Sequence, residues 1–249
     1  MFCAPSAETV ESIEEGIRNR KLITFSTIPT AAASFKERRQ RQCQADQTHR
    51  ADIPAVQPFH TDYSFNIAEY FAFCNRLLKK EPMTGENDAP CMIVFCAFQQ
   101  IPEVIQQAAK QGFKHYQFLY FTKSSSPQVL KANMRIVGAT EYALVLYRGK
   151  LPKFRNTDAD GKRHMIFDHF DWVRDGKDIP KIHPSQKPVS VLKRLIEIFT
   201  DPGDVVIDPC AGSGSTLRAA RELGRHSYGF EVSRDFYTKA CEQILGGAG

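Results

Sequence analysis

Near the end of the chain an acid and a Gly-x-Gly turn stand between an apolar run and a helical stretch. The run is Val205-Val206-Ile207-Asp208-Pro209-Cys210-Ala211-Gly212-Ser213-Gly214-Ser215-Thr216, and Leu217 to Leu223 continue as a helix. Glycines without a Cβ let a ligand come close to the backbone. In open α/β sheets such turns sit at the carboxyl ends of strands, where ligands bind. The turn lacks the Gly-Lys-Ser/Thr closure of a phosphate loop and the third glycine of the dinucleotide fingerprint. Ser227-Tyr228-Gly229-Phe230-Glu231 reads as a second short strand ending in an acid. Glu231 lies roughly 20 residues past the glycines, where a carboxylate at a second strand end can accept both hydroxyls of a ribose. Upstream, Ile182-His183-Pro184-Ser185-Gln186-Lys187-Pro188 leads into Val189 to Phe199, which puts Val191, Leu192, Leu195, Ile196 and Phe199 on one helical face. Pro188, with Ser185 just before it, is a fitting helix entry.

These three segments, in this order, resemble the AdoMet-binding half of the DNA amino-methyltransferases, which methylate adenine N6 or cytosine N4. The likeness runs from about Lys181 to Leu245 and is nearest to the short phage and prophage members. It implies an α/β fold with a doubly wound, mostly parallel sheet of the Rossmann-like methyltransferase type. It implies S-adenosylmethionine (AdoMet) as cofactor and DNA as partner; separately, seven cysteines without a C-x-x-C favour reduced thiols in a cytoplasmic setting. Asp208, Pro209, Cys210, Ala211, Gly212, Ser213, Gly214, Ser215 and Thr216 would wrap the methionine part, with Glu231 on the ribose. His183, Gln186, Lys187 and Pro188 would line the other side. Cys210 stands where the family usually has phenylalanine or another apolar residue.

The implied reaction sets further demands. An exocyclic amine is a poor nucleophile until its hydrogens are accepted, and alignment with the methyl group can supply up to roughly 7–11 kcal/mol in model reactions. The base must also leave its stack at a cost of a few kcal/mol, which an aromatic ring can offset. The family uses an Asp/Asn/Ser-Pro-Pro-aromatic tetrapeptide at a strand end, and no such tetrapeptide occurs here. The expected place holds Ser26-Thr27-Ile28-Pro29-Thr30. Ser26 or Thr27, depending on register, replaces the acceptor, Pro29 remains, and no aromatic follows. A hydroxyl accepts more weakly than a carboxylate. Gln57-Pro58-Phe59-His60 is a second candidate, without an apolar strand leading into it. Three readings stay open: an enzyme with an unusual catalytic loop, a relative that binds AdoMet and DNA with impaired transfer, and an altered N-terminal coding region behind the irregular Ala31–Gln57 stretch. Adenine N6 is the favoured target.

The elements that must position these groups follow from periodicity. Helices are expected over Ser6–Asn19, Asn66–Lys80 and Pro102–Gln111, with Gly112 as a C′ stop. Strands are expected over Lys21–Ser26, Cys91–Phe98, His115–Phe121 and Tyr142–Tyr147, and Leu151–Pro180 reads mostly as loop. Such alternation argues for a mostly parallel sheet. One domain over residues 1–249 results: a catalytic and target-side half, 1–150, with a basic loop at 31–57, then a loop, 151–180, and the cofactor half, 181–249.

With 42% hydrophobic and 24% charged residues in 249, the composition is that of a globular protein. A net charge of +5 permits nucleic acid binding without requiring it. Phosphate contacts are expected from Lys36, Arg38, Arg39 and Arg41, and from Lys150, Lys153, Arg155, Lys162 and Arg163. The seven cysteines show no metal-binding pairs, so no metal is expected. Asp158-Ala159-Asp160-Gly161 reads as a turn, with no glutamate placed to complete a calcium loop. No apolar run is long enough to span a membrane.

Overall fold

Runs with apolar residues at every position must be covered on both faces, which is the condition of central strands in a sheet layered between helices. The computed structural model describes residues 22–28, 65–78, 89–124, 129–131, 136–158 and 160–246. The helix expected over Ser6–Asn19, the loop 31–57, Pro29, and Gln57 to His60 lie outside them.

Strands β1 (Leu22–Thr27), β2 (Met92–Cys96), β3 (His115–Thr122), β6 (Thr140–Tyr147), β7 (His169–Asp171), β8 (Val205–Asp208) and β9 (His226–Gly229) form one seven-stranded sheet. Their order is β7-β3-β6-β2-β1-β8-β9. A separate two-stranded ribbon pairs β4 (Val129–Lys131) with β5 (Ile136–Val137). In the large sheet β1 is parallel to β2 and β8, β8 to β9, and β3 to β7, while β6 is antiparallel to both its neighbours. The sheet is therefore doubly wound and mostly parallel, as the sequence indicates. All residues of β2 and β8 are buried.

Helices α1 (Ile67–Leu77) and α2 (Ile101–Lys110) cover one face. There Ile67, Tyr70, Phe71 and Val104 pack against Met92, Val94, Val205 and Ile207. Helices α3 (Val189–Phe199) and α4 (Ser215–Glu222) cover the other, where Leu192, Leu195, Ile196 and Ala219 meet Ile23, Phe25, Ile93 and Val206. Asn66 caps α1 by accepting from Ala68 N–H and Glu69 N–H. Gly112, at φ 88°, follows α2 as expected.

Leu151–Pro180 is mostly loop, as expected, with His169–Asp171 pairing with β3 to extend the sheet edge. One expectation needs correction. Ser185 does not cap α3. The Val189 N–H donates instead to both carboxylate oxygens of Asp175, at 2.9 and 3.1 Å, while the Ser185 hydroxyl lies 3.0 Å from His183 Nδ1.

The chain proceeds from β1 to β2 on one side and from β8 to β9 on the other. The order of strands thus reverses between β1 and β8, the place where doubly wound sheets open a ligand crevice at their carboxyl ends. Thr27, Cys96, Asp208 and Gly229 all end strands on this edge, and Glu141, at the start of antiparallel β6, joins them.

Candidate active site

Strand β8 delivers Asp208 to the switch point, and the following turn closes on β9. Phe230 N–H donates to Asp208 O at 3.0 Å and Ala211 N–H to Phe230 O at 2.9 Å. The Asp208 carboxyl is buried, accepting from Cys210 N–H at 3.1 Å and bonded to Thr216. Burial pushes its pKa up to about 6, hydrogen bonds from Thr216 and Cys210 oppose the rise, and Glu231 adds to it. Glu231 locks the turn, because Gly212 N–H donates to Oε2 at 2.8 Å and Ser233 N–H to Oε1 at 2.7 Å. Carboxylate oxygens accept more than one hydrogen bond each, so these contacts leave acceptor capacity for hydroxyls.

Gly212 (φ 53°) and Gly214 (φ 74°) adopt left-handed conformations, and Gly214 N–H donates to Ala211 O at 2.8 Å as α4 begins. The His183 ring faces the turn, with ring carbons 3.7 Å from where a Gly212 Cβ would stand. It also meets Phe236, edge-on with centroids 4.4 Å apart. Ser185 N–H donates to His183 Nδ1 at 3.3 Å. Burial, with repulsion from Lys187, lowers the His183 pKa to about 4, so the ring is neutral at pH 7. Gln186 folds the segment on itself, accepting from Ile182 N–H and donating to Pro180 O, both at 3.0 Å. Of the residues named from the sequence, His183, Gly212 and Glu231 thus meet at the switch point, while Lys187 reaches instead to Glu141.

Ser26 and Thr27 end β1 beside this turn, since Thr24 is paired with Ile207. Strand alternation separates them. Ser26 is 2% exposed and turned towards α1, where its Oγ lies near Tyr70 but makes no hydrogen bond of normal geometry. Thr27 is only partly buried.

Gly229, read from the sequence as part of the second strand, touches the turn from behind, and a Cβ there would stand 2.7 Å from Leu217 Cδ1 and 3.0 Å from Ala211 Cβ. Several neighbours escaped sequence reading. Glu141 pairs with Lys123 and Lys187, and Trp172 lies beside both lysines. An acid heading an otherwise apolar strand was the one available signal for Glu141. Phe236 and Asp175 gave none, because each acts across a loop.

The second basic cluster divides. Lys153 is 4% exposed and bonded to Asp201 and Asp204 at 2.6 and 2.5 Å. Arg155 grips both oxygens of Asp201. These two cations tie the 151–158 loop to the end of α3; Lys153 is buried and does not face a phosphate, which corrects the expectation for it, while Arg155 stays 44% exposed. Lys162 and Arg163 are exposed. Among the described residues no group of His, Cys, Asp or Glu is arranged to hold a metal ion, and no helix is long and apolar enough to cross a membrane.

A doubly wound sheet with a glycine turn and an acid at its switch point defines a Rossmann-like protein with a cleft for a nucleoside-bearing ligand. The chain belongs to the DNA methylase family, whose model matches residues 43–242. That match begins after Ser26, Thr27 and Pro29 and includes Gln57 to His60. The chain is 28% identical over 221 residues to the methylase YubD of Escherichia coli K12, covering 88% of this chain and 79% of that protein. It is 30% identical over 196 residues to the DNA adenine methyltransferase YhdJ of the same organism, covering 72% and 65%. Among solved structures, the M1.HpyAVI–SAM complex superposes with a TM-score of 0.62 at 20% identity, over 96% of both chains. The cytosine-N4-specific PvuII DNA methyltransferase gives 0.57 at 15% identity, over 92% of this chain and 81% of that one. At such identities the likeness is one of fold.

Proposed function

We propose that the protein transfers a methyl group from AdoMet to the exocyclic amine of a base in DNA, with adenine N6 as the target. The observation that carries this reading is the turn 208–216, closed by Glu231 and faced by His183 at the switch point of a DNA methylase sheet. The adenine preference agrees with the name of the relative YhdJ. AdoMet, when bound, supplies an electrophilic methyl group on a sulfonium. Glu231 would accept the ribose hydroxyls, Asp208 to Thr216 would surround the methionine part, and His183, Gln186 and Pro188 would line the opposite wall, with the Lys187 side chain turned to Glu141. Neutral His183 adds no repulsion towards a cationic cofactor.

On the base side Thr27 is the better placed acceptor, because Ser26 is sealed against α1. Thr27 would accept an amine hydrogen through its hydroxyl, with Pro29 stiffening the loop. The same loop favours a second reading, a relative that binds AdoMet and DNA with impaired transfer, since it offers neither a carboxylate nor an aromatic ring.

Calorimetric titration with AdoMet of wild type and Asp208→Ala, followed by labelled methyl transfer to unmethylated DNA, tests both. Binding lost in the variant, with transfer by wild type, supports the enzyme. Binding without transfer, restored by Thr27→Asp with Thr30→Tyr, supports the impaired relative. No binding by wild type refutes both.

A further inference from the structure

Segment 181–188 is held at its two ends by different parts of the molecule. His183 lies against Gly212 and Phe236, on the turn side. Lys187 points elsewhere. Its Nζ stands 3.6 Å from Glu141 Oε2, 5.3 Å from the Phe95 ring centroid and 5.5 Å from that of Trp172. Its side chain is 11% exposed and that of Glu141 29%. Glu141 heads β6, two strands away from β1 in the sheet, and also binds Lys123. Between the two ends Gln186 closes the segment into a small rigid loop. The strap therefore crosses the strand-end edge from the β2–β6 side to the glycine turn. Its anchors include the Lys187–Glu141 pair at the first and the His183–Phe236 ring contact at the second.

We propose that Lys187 is a positioning residue whose ion pair with Glu141 latches the strap 181–188 across the sheet edge and so keeps His183 over Gly212. Removing Glu141 leaves the largely buried Lys187 charge uncompensated, and that side chain must move towards water, whereas removing Lys187 takes away the strap's own anchor while Glu141 keeps Lys123. That movement pulls the strap with it, since Lys187 is four residues from His183. Burial lowers the Lys187 pKa, with Glu141 opposing and Lys123 adding to the fall. Burial also opposes ionisation of Glu141, yet the two lysines hold its pKa below the ordinary value. Both observations fit charges that depend on each other. The latch itself is independent of what the cleft binds; its effect on AdoMet affinity rests on the proposed function.

Hydrogen exchange followed by mass spectrometry on the unliganded protein tests the latch, for wild type, Glu141→Gln, Lys187→Met and the double variant. Trp172, the only tryptophan, reports on the pair by fluorescence because both lysines lie beside it. Each single variant should change its emission. Each should also raise exchange about tenfold in the strap and in the 210–214 turn, with α1 unchanged and the double variant no faster than either single. Altered emission with unchanged strap exchange overturns the latch. So does a uniform rise that includes α1, which marks the pair as a general stabiliser. Calorimetry on the same samples should show AdoMet binding weakened about tenfold in either variant. Wild type that fails to bind AdoMet would sink the cofactor reading alone, and the exchange result would still decide the latch.

Discussion

Asp208→Asn should make the free protein more stable at neutral pH while weakening its hold on AdoMet. The carboxyl is buried and its pKa stands near 6 against 3.8 for an unperturbed aspartate. Between about pH 4 and 6 the folded state therefore holds a proton that the unfolded chain has released. Stability falls as pH rises through that window and stays level above it. The gap of about two pKa units corresponds to roughly 3 kcal/mol at neutral pH. Asparagine carries no charge at any pH and avoids this loss. It can still accept from Cys210 N–H and turn its amide towards Thr216, so the geometry is kept. Some polar burial remains, and the expected gain is about 1–3 kcal/mol, or about 2–12 °C in Tm for a chain of this size. Urea denaturation of both proteins at about pH 4.5 and about pH 7 isolates the residue, because every other acid is common to both. The variant's advantage should appear at the higher pH and shrink at the lower. AdoMet should raise the Tm of the wild type and leave that of the variant unmoved. An equal difference at both pH values, or a variant weaker than wild type at neutral pH, would refute the assignment of a buried, charged Asp208.

Four further outcomes follow from packing and charge. Gly229→Ala sets a methyl group against Leu217 and Ala211 and should cost about 1–3 kcal/mol in urea unfolding, part of it recovered by adding Leu217→Ala. Lys153→Met leaves Asp204 unpaired in a largely buried place and should cost about 3 kcal/mol, the low end for such pairs because Asp201 is 41% exposed. By contrast, Lys162→Ala with Arg163→Ala should leave stability unchanged and reduce the salt dependence of DNA binding by a slope of about two; a slope equal to that of wild type would place the DNA elsewhere. Asp175→Ala removes the acceptor of the first α3 N–H and should cost about 1 kcal/mol, measurable as a lower midpoint in denaturant.

By itself the sequence determined the elements and the cofactor-side motif. Helix α3 lies where its apolar spacing puts it, over Val189–Phe199, and β8 ends at Asp208 before the glycine turn. Period and turn chemistry are local properties, so a single chain displays them. The family order of His183 to Pro188, Asp208 to Thr216 and Glu231 was legible for the same reason. Contacts between residues distant along the chain belonged to the tertiary structure alone. Sequence spacing does not say that Asp175 will cap α3 from 14 residues away, or that Phe236 will meet His183. Nor does it say that Lys153 will turn inward to Asp201 and Asp204, or that Arg155 beside it will pair with Asp201 at the surface. A cationic side chain in a loop reads alike whether it faces solvent or a carboxylate brought up by another helix. Only the folded chain fixes which it meets. The same holds for Ser26 and Thr27, adjacent in sequence and equal as acceptors, which the alternation of β1 and the position of α1 divide into one sealed hydroxyl and one within reach of the strand-end edge.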